Sequence, residues 1–246
     1  MRFAAIADVH GNCLALKAVL ADIRRAGLDT VVNLGDHLSG PLEAGRTADL
    51  LIECNFPSIR GNHDRWLIER RPGDMGASDK AADAQLQARH RRWLSGLPPT
   101  MVFRDEIFLC HGTPTNDTTY WMERVTADAL VHMKPIEEIE KEAQDIDASL
   151  ILCGHTHIPR IVRLRDGRLI VNPGSVGCPG YDDDVPVHHL MQSGTPDACY
   201  AILEKQNGRW SAGFRYLPYD NIAMAEMARA GKRPEWASAL ATGWVR

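Results

Sequence analysis

The sequence predicts a layered α/β fold spanning residues 1–246 as a single domain, and three observations predict it. Short apolar runs alternate with segments of helical periodicity in the first third of the chain, the pattern of parallel, right-handed βαβ units. Five of the motifs that close these apolar runs are rich in Asp, Asn and His. No internal repeat or low-complexity linker divides the 246 residues, a length that suits one layered domain.

Taken in order, residues 2–7 form a first strand, which turns at His10-Gly11-Asn12. Residues 13–26 place Leu14, Leu16, Val19, Leu20 and Ile23 largely at helical spacing, and Gly27 stops that helix. Residues 30–34 are a second strand ending at Gly35-Asp36. A helix over 43–54 leads to a third strand near 56–60, ending at Gly61-Asn62-His63-Asp64. A polar, Ala-rich helix over 77–95 stops before Pro98-Pro99. Two strands follow around the Arg104-Asp105-Glu106 turn, and the second delivers His111. Helices are expected near 123–133 and 136–145. A buried strand over 149–153 ends at Gly154-His155, and strands follow over 160–164, 168–172, 199–204 and 209–217. The tail from 219 to 246 is Ala-rich and reads as helical. Residues 177–197, rich in Gly, Pro and Asp, read as a loop without regular strand or helix.

Composition narrows the function classes. A formal net charge of −4 disfavours broad binding to long nucleic acid or anionic membranes, while leaving room for a small phosphate ester. None of the six cysteines pairs at CxxC spacing, which argues against zinc ribbons and thioredoxin-like redox motifs and for reduced, buried thiols. The opening apolar run, broken at Asp8, is too short for a signal peptide, and no stretch approaches the roughly 20 apolar residues of a membrane span. A cytoplasmic location is expected.

The chemistry lies at the strand ends. In Asp8-Val9-His10 an extended backbone would aim a carboxylate and an imidazole the same way, and Gly154-His155-Thr156-His157 repeats that spacing. Between them come Gly35-Asp36, Gly61-Asn62-His63-Asp64 and His111-Gly112. Each motif alone is unremarkable, a turn carboxylate or a surface histidine. Five in succession at the edge where open α/β sheets bind ligands are not chance. The donors Asp8, His10, Asp36, Asn62, His111, His155 and His157 are all oxygen or nitrogen, which excludes thiolate zinc and iron–sulfur sites. They exceed the need of one tetrahedral ion; two divalent ions sharing a carboxylate would use them all.

The ordered pattern DxH, GD, GNH(D/E), H, GHxH over residues 8–157 resembles the calcineurin-like metallophosphoesterase superfamily. Asn172-Pro173-Gly174-Ser175 resembles a segment of its small prokaryotic phosphodiesterase branch. The resemblance implies a four-layer αββα sandwich, two mixed sheets face to face with helices outside. It implies a dinuclear phosphoesterase that attacks a phosphodiester or phosphomonoester with a metal-activated water, using Mn or Fe, with Zn or Ni as further options. Asp8, His10, Asp36 and His157 would hold one ion. Asp36 would bridge to a second, completed by Asn62, His111 and His155. His63 would serve the scissile phosphate, oriented by Asp64. Asn12 either hydrogen-bonds a phosphate oxygen or caps the 13–26 helix.

Two features depart from the pattern. Ser39 stands where many cyclic-nucleotide phosphodiesterases of the superfamily have the second Asp of GDxxD. The 177–197 segment is long and carries Asp182, Asp183, Asp184, His188 and His189, which read as a solvated loop or a third metal site; the segment itself is expected to form a lid over the pocket or an oligomer contact. His37, His90 and His132 carry no spacing signal and read as structural or surface residues, and Arg60 either reaches substrate or packs at a strand edge. Two other functions compete: a dinucleoside polyphosphate hydrolase on the same site, and a metal-binding protein-interaction scaffold of the same fold. The retention of His63 favours an enzyme over the scaffold.

Overall fold

A computed structural model describes residues 1–246. The chain runs β1 (Arg2–Ile6), α1 (Cys13–Arg25), β2 (Val31–Asn33), α2 (Ala44–Cys54), α3 (Asn62–Glu69), α4 (Ala77–Asp83), α5 (Ala88–Ser95), β3 (Met101–Phe103) and β4 (Ile107–Leu109). It continues through β5 (Glu123–Val125), β6 (Val131–Met133), α6 (Ile136–Glu142), β7 (Leu150–Leu152), β8 (Arg160–Arg163), β9 (Leu169–Asn172), β10 (Gly180–Asp183) and β11 (His189–Gln192). It ends with β12 (Ala198–Gln206), β13 (Arg209–Leu217), α7 (Asn221–Ala230) and α8 (Pro234–Thr242).

Two main mixed sheets carry the architecture, in the orders β13-β12-β1-β2 and β3-β4-β7-β9-β8. Alternation along the strands decides which face meets what. From β1, Phe3, Ala5 and Ala7 point with Val32 and Leu203 into the space between the sheets, where they meet Leu109, Leu150, Leu152 and Val171. The intervening Ala4 and Ile6 face the other way, onto Leu16, Val19 and Ile23 of α1. On the far side of the second sheet, Ile151 and Ile170 pack with Ile139 of α6 and with Trp121. Helix, sheet, sheet, helix is therefore the layer order. The helices α7 and α8 add a satellite core in which Met224, Trp236 and Leu240 close over Leu42 and Cys178. No helix is long and apolar enough to cross a membrane.

Several elements differ from the sequence reading. The stretch near 123–133 is a hairpin, β5 paired antiparallel with β6, because Thr126 hydrogen-bonds Leu130 across a tight turn with Ala129 in a left-handed conformation. Residues 177–197 are not irregular: β10 and β11 form an antiparallel hairpin in register from Gly180↔Gln192 to Asp183↔His189. The expected third strand is reduced to a single parallel bridge between Asn33 and Ser58. The 77–95 helix is broken into α4 and α5, with Gln87 starting the second in a reciprocal cap with His90. In the tail, α7 and α8 are helical as expected.

Candidate metal centre and its cavity

The parallel strands β1, β2, β4 and β7 all end at one edge, and the segments leaving them carry Asp8 and His10, Asp36, His111, and His155 and His157. The side chains converge in two groups, Asp8-His10-His157 and Asp36-His111-His155, with the ligand atoms of each group within 4.8 Å of one another. Asp36 lies between them: its Oδ2 is 3.2 Å from Nε2 of His111 and 3.9 Å from Nε2 of His10. Asn62 opens α3 beside them and lines the same cavity as Asp36.

The convergence does not come from extended spacing. Asp8, His10, Asp36, His155 and His157 all have positive φ, between 49° and 71°. This is a conformation that residues with a Cβ rarely adopt. The loops are held there by each other: Asp8 N donates to Gly35 O and His10 N donates to Asp36 O. Glycine permits the approach. At Gly35, itself at φ +100°, a Cβ would lie 2.4 Å from the nitrogen of Gly61, and at Gly61 a Cβ would lie 2.1 Å from Asp36 Oδ1. The glycines of the GD and GN motifs thus make room for one another's loop. The Asn172–Ser175 segment braces the other side. Asn172 Nδ2 donates to Gly154 O and to Thr156 Oγ1, and Ser175 Oγ donates to Asp8 O at 2.7 Å.

The donor atoms are prepared for a cation. The Nδ1 atoms of His10, His111 and His157 donate to the carbonyls of Ser39, Leu34 and Cys178, at 2.6, 2.8 and 2.7 Å. Each Nε2 is thereby turned inward. His111 Nε2, His155 Nε2, Asp8 Oδ1 and Asn62 Oδ1 are buried without a hydrogen-bond partner. The Nε2 atoms of His10 and His157 face each other at 3.1 Å, a contact satisfied only by a shared proton or an intervening cation. Orphaned nitrogen and oxygen donors in this number fit divalent metal ions.

Burial and neighbouring charge divide the four imidazoles: His10 and His155 are lowered, while His111 and His157 are raised by the carboxylates they face. Burial and the neighbouring imidazoles of His157 and His63 lower His10 to about 4, and burial with His111 does the same to His155. Both are neutral at physiological pH, the state that ligates. Burial also opposes charge on His111, but the carboxylates of Asp36 and Asp8 outweigh it and raise that group to about 10. Burial pushes the Asp36 carboxyl upward, yet His111, His63 and His10 together hold it well below the usual carboxylate range.

Two expected roles need correction. Asp64 does not orient His63. Its carboxylate is buried behind the β2 loop, accepting from the Asp36, His37 and Gly61 amides and, at 2.7 Å, from Nδ1 of His37. His63 Nδ1 donates instead to Asp79 Oδ1 on α4 at 2.7 Å, and the same oxygen accepts from Ser39 Oγ at 2.7 Å. Asn12 does not face substrate either. It is fully buried: Oδ1 caps α1 at Ala15 N, and Nδ2 donates to Gly177 O and to Tyr219 Oη. His37 and His90 are buried structural groups, the latter paired with Asp49.

A cavity of about 710 Å³ opens over the cluster. Tyr120, Trp66, Tyr181 and Trp236 supply aromatic wall, and the β10–β11 hairpin reaches it through Asp182, Asp183, Val185 and Pro186. Tyr181 Oη lies within hydrogen-bond distance of His155 O, which can only accept, and of Tyr120 Oη, which in turn meets His189 Nε2 at 3.1 Å. The 177–197 segment was singled out in the sequence, but Asp79, Tyr120, Trp66 and Trp236 had no signal there. Their proximity to the cluster is set by tertiary packing, with no motif spacing to reveal it.

A family model described as the calcineurin-like phosphoesterase superfamily domain matches residues 1–203. A crystal structure of a metallophosphoesterase from Sphaerobacter thermophilus superposes with a TM-score of 0.74 at 27% identity, covering 99% of this chain and all of that one. An uncharacterised protein of Methanocaldococcus jannaschii is 23% identical over 95% of this chain and 94% of its own length. A putative diadenosine tetraphosphatase shares the fold, with a TM-score of 0.51 at 15% identity over 86% of this chain and 92% of that one.

Proposed function

The chain belongs to the calcineurin-like phosphoesterase superfamily, hydrolases of phosphoric esters, and we propose that it acts through a dinuclear centre on small phosphate esters. The observation that carries this reading is the buried set of unpartnered donors, grouped as two clusters around Asp36. In it, Asp8, His10 and His157 would hold one ion, His111, His155 and Asn62 would hold the other, and Asp36 would serve both. Mn or Fe is the expected metal, with Zn or Ni acceptable to the same donors. Once bound, two such ions would supply Lewis acidity toward a phosphoryl oxygen and would lower the pKa of a water so that its hydroxide form is the nucleophile.

The protein's own groups do the rest. His63 lines the cavity beside Asp36 and Asn62, and its Nδ1 is held by Asp79. Its Nε2 therefore serves the substrate, donating a proton to the departing ester oxygen. Burial works against a proton on His63, but the Asp36 and Asp79 carboxylates outweigh it and raise the group above its ordinary value. Tyr120, Trp66 and the β10–β11 hairpin enclose the leaving group.

A panel of phosphomonoesters and phosphodiesters, assayed with added Mn²⁺ beside His63→Ala, tests the reading. His63→Ala should retain its metal and lose roughly 10²–10⁴ in kcat. An unchanged kcat removes His63 from the chemistry, and no metal-dependent hydrolysis of any ester refutes the function.

A further inference from the structure

The family match ends at residue 203, yet the cavity does not. Arg233 and Trp236, from the α7–α8 unit, line it beside His10 and His63. Trp236 stands edge-on to the His10 ring with centroids 5.9 Å apart, and lies so close over the loop after β2 that a Cβ at Gly40 would meet it at 3.1 Å. Arg233 directly precedes α8, at its N-cap position, and is held on two sides. Its Nε donates to Glu235 Oε1 at 2.5 Å, and its Nη2 donates to Ser78 Oγ at 3.1 Å. Ser78 directly precedes Asp79, the residue that holds His63. The guanidinium is thereby fixed on the His63 side of the cavity.

One nitrogen is left over. Nη1 of Arg233 is shielded from solvent and has no hydrogen-bond partner. A buried guanidinium nitrogen carries two N–H donors, and leaving them unused is costly. The other cations lining the cavity are engaged: Arg124 pairs with Glu138 through both carboxylate oxygens, and Lys134 Nζ donates to Tyr120 O. Elsewhere on its wall stand the carboxylates of Asp182 and Asp183. The cavity wall therefore holds an unpaired cationic donor on the His63 side and acidic groups on the hairpin.

Resting on the phosphoesterase reading above, we propose that Arg233 is a phosphoryl-binding residue that favours phosphomonoesters over phosphodiesters. The free donors of its fork grip non-bridging oxygens of the phosphate. At neutral pH a monoester carries close to two negative charges on three such oxygens, whereas a diester carries one charge on two. A fixed guanidinium contributes more to the first than to the second, because both the charge and the number of acceptors are greater.

The test compares p-nitrophenyl phosphate with bis(p-nitrophenyl) phosphate, which share a leaving group. Metal-loaded wild type, Arg233→Gln and Arg233→Lys are assayed, and inorganic phosphate binding is measured by calorimetry. Arg233→Gln should lower kcat/KM at least about tenfold more for the monoester than for the diester, and weaken phosphate binding by a similar factor. Arg233→Lys keeps a charge that can pair with Glu235 but loses the fork, so it should fall between the two; it carries the test should the Gln variant not fold. Equal losses on both esters, or unaltered phosphate affinity in a variant of normal melting temperature and metal content, overturns the proposal and leaves Arg233 as a tether between α8 and α4. Wild type that hydrolyses neither ester would refute the phosphoesterase reading instead, and calorimetry would still decide whether Arg233 binds phosphate.

Discussion

Replacing Asp79 by Asn tests how His63 is poised. Asp79 is 2% exposed, and its Oδ1 accepts two short bonds, from His63 Nδ1 and Ser39 Oγ, each 2.7 Å. Asparagine is nearly isosteric, so α4 should stay in place. The amide oxygen can still accept at the Oδ1 position, but it carries no formal charge, so the bond to His63 Nδ1 loses its charge assistance. His63 is then held less firmly with Nε2 on the substrate. The effect acts only through His63, so it cannot exceed the roughly 10²–10⁴ expected from removing that imidazole. Supporting partners of a functional histidine typically contribute about 10–100-fold, which is the loss in kcat predicted here. The assay is steady-state kinetics on aryl esters of graded leaving-group pKa at saturating Mn²⁺, with metal content determined in parallel. Poor leaving groups should suffer most, since they need the proton most, and p-nitrophenol least. A uniform loss across the series, or full activity in Asp79→Asn, would refute the reasoning. Ser39→Ala, which removes only the second bond to Asp79, should give a milder version of the same slope.

Three further outcomes follow. Asp36→Asn should weaken both metal positions together, because Oδ2 faces His111 and His10; elemental analysis showing full dinuclear occupancy would exclude the bridging role. Replacing the 184–188 tip of the β10–β11 hairpin with Asn-Gly should preserve the fold and shift relative kcat/KM among leaving groups by about tenfold, since Val185 and Pro186 line the cavity; constant selectivity in a metal-loaded variant sinks the lid role. At the far side of the first sheet, burial raises the Asp22 carboxyl, but bonds from Arg215 and Tyr200 outweigh it and hold it below its ordinary value. A depressed carboxyl stabilises the fold above its unfolded pKa of about 3.9 and loses that contribution as pH falls through the folded value. Asp22→Asn should therefore lower the unfolding free energy by about 1–3 kcal/mol at pH 7, with the difference from wild type shrinking below pH 4 in urea titrations.

The ligand set was legible because strands β1, β2, β4 and β7 announce themselves as apolar runs, and Asp8, Asp36, His111 and His155 follow where each run stops. Tertiary contacts were not. Asp64 sits next to His63 in sequence, yet the first turn of α3 points it back at the amides of Asp36 and His37, while Asp79, sixteen residues from His63, reaches it from another helix. Nothing local marks that choice. The β10–β11 hairpin was hidden for a different reason. Gly, Pro and Asp punctuation around β10 and β11 reads as loop, and pairing Gly180 with Gln192 is a long-range event that period-two patterning over four residues cannot reveal. Asn12 had two readings from the outset, and burial decides for the cap.

The left-handed residues tie these threads together. A residue with a Cβ at positive φ costs on the order of 1–2 kcal/mol, and five of the seven proposed ligands are in that state. Such a concentration persists only if the surroundings over-determine it. They do: the β1 and β2 loops hydrogen-bond each other, Gly61 fits against Asp36 with no room for a side chain, and Ser175 and Gly177 fasten Asp8 from behind. Most of these braces are backbone groups and glycines, not ligand side chains. The frame is therefore held by the protein's own braces, and the proposed ligands would meet incoming ions already in place. A centre formed in this way loses little conformational freedom on binding metal. The same rigidity leaves selectivity to the groups around the frame, among them Asp79 on α4, Arg233 on α8 and the β10–β11 hairpin, all of which lie outside the motifs that identify the site.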